Sequence, residues 1–157
     1  MAIKHLFKIK LNWFNKEQRE HTTKVYTKSH HITSTGKAEL NISAAKAFKG
    51  DPTLYNPEDL LLSSVSSCHM MSYLYVCEKH NIHIISYEDQ AEGILETHSN
   101  GSGNFSEIHL NPKIVIANEQ QIYLATQLHQ KANELCFIAN SCNFPIYHHP
   151  VITSLES

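Results

Sequence analysis

Asn56-Pro57-Glu58-Asp59-Leu60-Leu61-Leu62-Ser63-Ser64-Val65-Ser66-Ser67-Cys68-His69-Met70 is the stretch around which the rest of the chain arranges itself. Asn56 suits a helix N-cap and Pro57 the first helical position. Glu58 and Asp59 follow in the first turn, where the helix dipole favours negative charge. An apolar seam then runs Leu61, Val65, Cys68, Ser72, Tyr75, in steps of four and three. It predicts a helix of about six turns ending near His80-Asn81. The serine-rich middle presents small side chains, which let another backbone come close, so this helix is predicted to be central.

Upstream, Ile3, His5, Phe7, Ile9, Leu11 and Trp13 alternate with Lys4, Lys8, Lys10 and Asn12, the pattern of a half-buried strand. Asn15-Lys16-Glu17-Gln18 reads as a turn. Two further strands are predicted over 22–32 and 37–43, completing an antiparallel meander, and a loop over 44–55 is marked by Gly50-Asp51-Pro52. Downstream, 84–97 and 105–117 read as two long strands joined by Asn100-Gly101-Ser102-Gly103, with Pro112 pointing to an edge or a bulge. A second helix starts near Glu119, its stripe formed by Ile122, Ala125, His129, Ala132, Cys136 and Ala139. A short strand over 146–152 closes the order βββ-α-ββ-α-β: an α+β fold in which antiparallel sheets cover two helices.

The 157 residues suit a single domain over 1–157. With 41% hydrophobic and 18% charged residues, the chain reads as neither disordered nor a coiled coil. Thirteen Lys+Arg against fifteen Asp+Glu, with Arg19 as the single arginine, leave no footprint for nucleic acid or an anionic membrane. The N-terminus lacks the apolar centre of a signal peptide. The uncharged run from Leu60 to Cys77 holds five serines and a histidine, so it does not read as a membrane span. A cytoplasmic location is the expectation, and in that compartment four cysteines stay reduced unless they do chemistry.

Cys68 and Cys136 each fall on a helical stripe, whereas Cys77 lies half a rotation from Cys68 and Cys142 beyond the second helix. All four could be buried hydrophobes, and that is the reading for Cys77 and Cys142. No C-x-x-C or H-E-x-x-H occurs, so no metal site is predicted; the doublets His30-His31 and His148-His149 read as exposed strand residues. His69 points about 100° away from its neighbour Cys68. It reads as an interface or surface histidine rather than a base.

Two separated motifs carry a family resemblance. Asn56-Pro57-Glu58-Asp59-Leu60-Leu61 with Cys68-His69-Met70 resembles the central-helix signature of the OsmC/Ohr proteins, the osmotically inducible and organic hydroperoxide resistance proteins. Glu134-Leu135-Cys136-Phe137-Ile138-Ala139-Asn140-Ser141, followed by Asn143-Phe144-Pro145, is similar to their second cysteine motif, and Tyr87-Glu88-Asp89-Gln90-Ala91-Glu92-Gly93 fits one branch. The resemblance spans roughly 22–150. It implies a cofactor-free thiol peroxidase acting on organic hydroperoxides or hydrogen peroxide, with Cys68 peroxidatic, Cys136 resolving by a Cys68–Cys136 disulfide, and an external dithiol as reductant. It also implies an intertwined homodimer with sites at the interface, completed by Glu58 and by a cation. The family arginine is matched by Lys28, which keeps the charge and loses the bidentate fork. Ten residues of straight helix separate Glu58 from Cys68 by about 15 Å, so in this reading Glu58 serves the partner's thiol. Two other readings stay open: a dimer of the same fold that binds a small apolar ligand without peroxidase activity, and a cysteine-dependent acyl hydrolase.

Overall fold

Asn56 caps the long helix as its sequence predicts. In the computed structural model, which describes residues 2–14 and 26–155, α1 runs unbroken over Pro57–Lys79. The Asn56 side chain accepts the Asp59 backbone N–H at 2.8 Å, while the Asp59 carboxylate accepts the Asn56 N–H at 3.3 Å. Asn81, at φ 53°, takes the left-handed conformation that follows a helix end.

The chain divides into two units, 1–60 and 61–157. In the first, β1 (Lys10–Asn12), β2 (His30–Thr33) and β3 (Leu40–Ile42) form an antiparallel meander in the order β1-β2-β3. The strands are shorter than predicted, and the turn over Asn15–Gln18 and the start of the second strand lie outside the described residues. The apolar face of the first segment is exposed: Ile3, Phe7 and Ile9 are 82%, 89% and 66% accessible. A strand there needs a partner to bury that face, and the described residues of the unit leave it open. Gly50 closes the loop after β3 tightly; a Cβ there would lie 1.7 Å from the Ala44 carbonyl oxygen.

In the second unit the two predicted long strands and the short last one are each cut in two at one level. The first becomes β4 (Ile84–Asp89) and β5 (Glu92–Thr97), the second β6 (Gly103–Leu110) and β7 (Pro112–Ile116), and the last β8 (Ile146–His148) and β9 (Val151–Ser154). The breaks have local causes. Pro112 and Pro150 lack the N–H that would continue a ladder. At the crossing, the Asp89 carboxylate accepts the Asn111 N–H at 2.8 Å and the Asn111 amide donates to the Gln90 carbonyl at 2.8 Å. Two three-stranded sheets result, β4-β7-β9 and β5-β6-β8. The pairs β4·β7 and β5·β6 are antiparallel as predicted, but β8 and β9 add parallel to β6 and β7.

The second helix departs from the prediction at its end. After a 3-10 turn over Glu119–Gln121, α2 spans Ile122–Leu135 and stops there, so Cys136 and Ala139 are not on it. Cys136 is extended (φ −75°, ψ 107°), and the Asn140 amide covers the free Glu134 carbonyl at 2.9 Å, closing the helix end.

One core joins Tyr73, Val76 and Cys77 of α1, Ala125, Leu128 and Ala132 of α2, and Ile114 and Ile116 of β7; a second joins Val65 to Ile108 and Leu110 of β6. Each fully buried aliphatic side chain contributes about 1.5–3 kcal/mol. The buried face of α1 is Val65, His69, Tyr73, Val76 and Cys77, rotated from the predicted seam; Tyr75 is 53% exposed. The reason is that α1 is small or apolar on nearly every side, so periodicity alone does not choose a face. By length and mean hydropathy (1.3) α1 could cross a membrane, a test that core helices also pass.

Candidate functional site

Cys68 sits on the flank of α1, half-buried, and Cys136 follows α2, fully buried. Both thiols are free, and the Cys68 side chain is near enough to the Cys136 thiol to perturb it. Burial pushes the Cys136 thiol up to about 11, and the adjacent Cys68 pushes the same way. The Ala139 N–H, 3.4 Å from its sulfur, opposes them. The pair is therefore asymmetric: Cys68 is partly exposed, and Cys136 is a buried neutral thiol near it. Cys142 donates to the Ile138 carbonyl at 3.3 Å and packs beside Phe144, and Cys77 is sealed in the main core.

The other two residues of the predicted site lie in the first unit. Glu58 occupies the first turn of α1, and its Oε2 is buried with no hydrogen-bond partner among the described residues. Lys28 is exposed, and its ammonium donates to the Phe48 carbonyl. Among the described residues no ion pair joins the two.

His69 is not on the surface. It is 1% exposed, and its Nε2 shares a 2.9 Å hydrogen bond with Nδ1 of His129, itself 3% exposed. The His148 ring lies 4.3 Å from that of His69, so this member of its doublet is drawn inward, and Tyr73 stacks on His129 at 3.9 Å. Desolvation holds both imidazoles neutral, with His69 lowered to about 3 and His129 to about 4; His148 is lowered for the same reason. The cluster was partly legible, since His129 falls on the predicted α2 stripe. His69 was hidden by the misplaced seam on α1. Among the described residues no group of three or more His, Cys, Asp or Glu is placed to hold a metal ion.

On the other flank of α1 lies an open cleft of about 440 Å³ lined by Leu62, Ser66, Met70, Tyr87 and Asp89. Its one carboxylate is already satisfied, by the Ser66 hydroxyl and the Asn111 N–H, which marks Asp89 as a structural tie between α1 and the strands.

The arrangement has relatives. The chain is 23% identical over 140 residues to the uncharacterized protein YmaD of Bacillus subtilis, covering 87% of this chain and 86% of that one. An OsmC-like protein of unknown function from Vibrio cholerae superposes with a TM-score of 0.82 at 26% identity, over 92% of this chain and 97% of that one. An organic hydroperoxide resistance protein from Elizabethkingia anophelis shares the fold, with a TM-score of 0.67 at 19% identity, over 97% and 99% of the two chains. The family model described as OsmC-like protein matches residues 50–148, the segment that runs from the loop before α1 through both cysteines to β8, and the chain thus belongs to the OsmC-like protein family.

Proposed function

We propose that this chain is a thiol-dependent peroxidase that reduces organic hydroperoxides through Cys68 and Cys136. The observation that carries the reading is the pairing of an accessible thiol with a buried one in a protein of this family. Structural neighbours of this fold include organic hydroperoxide resistance proteins from Elizabethkingia anophelis and Bacillus subtilis, which supports the substrate class.

The Cys68 thiolate attacks the terminal peroxide oxygen. The O–O bond breaks, sulfur is oxidised to sulfenic acid, and the alkoxide leaves and takes a proton to become an alcohol. Cys136 then attacks the sulfenic sulfur; an S–S bond forms and the hydroxyl leaves with the Cys136 proton as water. An external dithiol reduces the disulfide by exchange and is itself oxidised to a disulfide. The order follows from access: a buried Cys136 is poorly placed to meet peroxide first and well placed to meet the sulfenic acid. No cofactor is required by these steps.

The working unit in this reading is a homodimer in the cytoplasm. The exposed apolar face of the first unit and the exposed Met71, Leu74 and Tyr75 along α1 support it. So does the buried oxygen of Glu58, which has no partner among the described residues and on an unbroken helix is about 15 Å from its own Cys68. A cation beside the second subunit's thiol, Lys28 by sequence, would be its natural partner. The test is a free-thiol count before and after one equivalent of tert-butyl hydroperoxide. A fall from four thiols to two, mapped to Cys68 and Cys136, is expected. No loss of thiols, or loss from Cys77 and Cys142, would overturn the proposal.

A further inference from the structure

Nothing in the chemistry above uses the histidine pair, yet it is placed where the two sulfurs are held. His69 follows Cys68 directly on α1. His129 lies on α2, seven residues before Cys136, which follows the end of that helix. Where the two helices meet, most contacts are apolar: Val76 and Cys77 of α1 share a core with Leu128 and Ala132 of α2. Apolar contacts fix distance well and sliding poorly, because dispersion has little direction. Two polar ties set the slide. One is the Tyr73 hydroxyl donating to the Ala125 carbonyl at 3.0 Å. The other, on the cysteine side of it along α1, is the 2.9 Å imidazole–imidazole bond. A one-residue slip is about 1.5 Å, and a disulfide demands a sulfur separation of about 2.05 Å with narrow Cα limits.

We infer that His69 and His129 are positioning residues, whose mutual hydrogen bond sets the register of α1 against α2 and thereby keeps the Cys68 and Cys136 sulfurs within bonding reach. The inference rests on the thiol-pair reading above and extends it to residues outside the site. The His148 ring of β8 lies 4.3 Å from that of His69, and Tyr73 stacks on His129; Tyr87 of β4 packs in turn on Tyr73, and Asp89 of β4 acts on His148.

The experiment measures the effective concentration of the two thiols, from the equilibrium of the Cys68–Cys136 disulfide with glutathione, in the full-length protein. Variants are chosen by atom position. Gln at 69 keeps a polar group where Nε2 stands, and Asn at 129 keeps one where Nδ1 stands. His69→Asn and His129→Gln have the same chemistry with the polar group displaced. The matched variants, His69→Gln and His129→Asn, are expected within threefold of the wild type, and the displaced ones at least tenfold lower, each with the wild-type far-UV circular dichroism spectrum. Equal values for matched and displaced variants would overturn the inference and leave the peroxidase reading standing. A displaced variant that does not fold is replaced by His129→Phe, for which the same tenfold fall is required. A wild-type protein that forms no Cys68–Cys136 disulfide would overturn both.

Discussion

Acid should loosen this protein well above the pH at which its carboxylates protonate. His69 and His129 are buried and neutral, lowered from the ordinary value near 6.5 to about 3 and about 4. Their folded values are depressed, so their neutral forms are no burden above pH 6.5. As pH falls below it, the unfolded chain gains protons that the folded chain refuses. At pH 5 this amounts to about 2 kcal/mol for each histidine and about 4 kcal/mol for the pair, a large part of the roughly 5–15 kcal/mol that holds a typical domain. His148 shifts in the same direction, opposed in part by Asp89. Tyr73 and Tyr87, the other titratable side chains packed on the cluster, are pushed upward by burial and stay neutral throughout this range. The assay is urea unfolding at pH 7 and pH 5, at one fixed protein concentration, followed by circular dichroism at 222 nm, which reads α1 and α2. Trp13, the single tryptophan, belongs to the first unit. A loss of stability below about 1 kcal/mol between the two pH values would refute the reasoning. So would a His69→Gln/His129→Asn double variant with the wild-type pH dependence.

Further outcomes are expected. Cys68→Ser should abolish hydroperoxide consumption, and an active variant would end the assignment of Cys68. Cys136→Ser should stop after one turnover with a sulfenic acid that dimedone traps; sustained turnover would show that Cys136 does not resolve. In the reduced protein, iodoacetamide should modify Cys68 well before Cys136, whose thiol is buried and raised to about 11; peptide mapping reads the order. Tyr73→Phe removes the hydroxyl that meets the Ala125 carbonyl and should lower the urea-derived stability by about 1 kcal/mol. Gly50→Ala forces a Cβ against the Ala44 carbonyl oxygen, and proteolysis should cut the 44–55 loop much faster in that variant than in the wild type.

The helix beginning at Asn56-Pro57 was legible because its signals are local: a cap, a proline at the first position and acids in the first turn decide a helix start within four residues. The strand regions were legible for the same reason, since alternation is a property of neighbours. Their division into two sheets was not, because it arises where Asp89, Asn111 and Pro112 meet across strands. The parallel addition of β8 and β9 depends on where the chain returns after α2, and no pattern inside those strands records it.

The candidate site shows the same boundary. The family resemblance carried by two motifs singled out Cys68, Cys136, Glu58 and Lys28, because a motif is a statement about order along the chain. Only the tertiary structure placed Cys136 past the end of α2 and against Cys68, and only it turned His69 inward onto His129. A helix that is apolar or small on nearly all sides carries no preferred face of its own. What packs on it chooses the face, and with it which side chains meet.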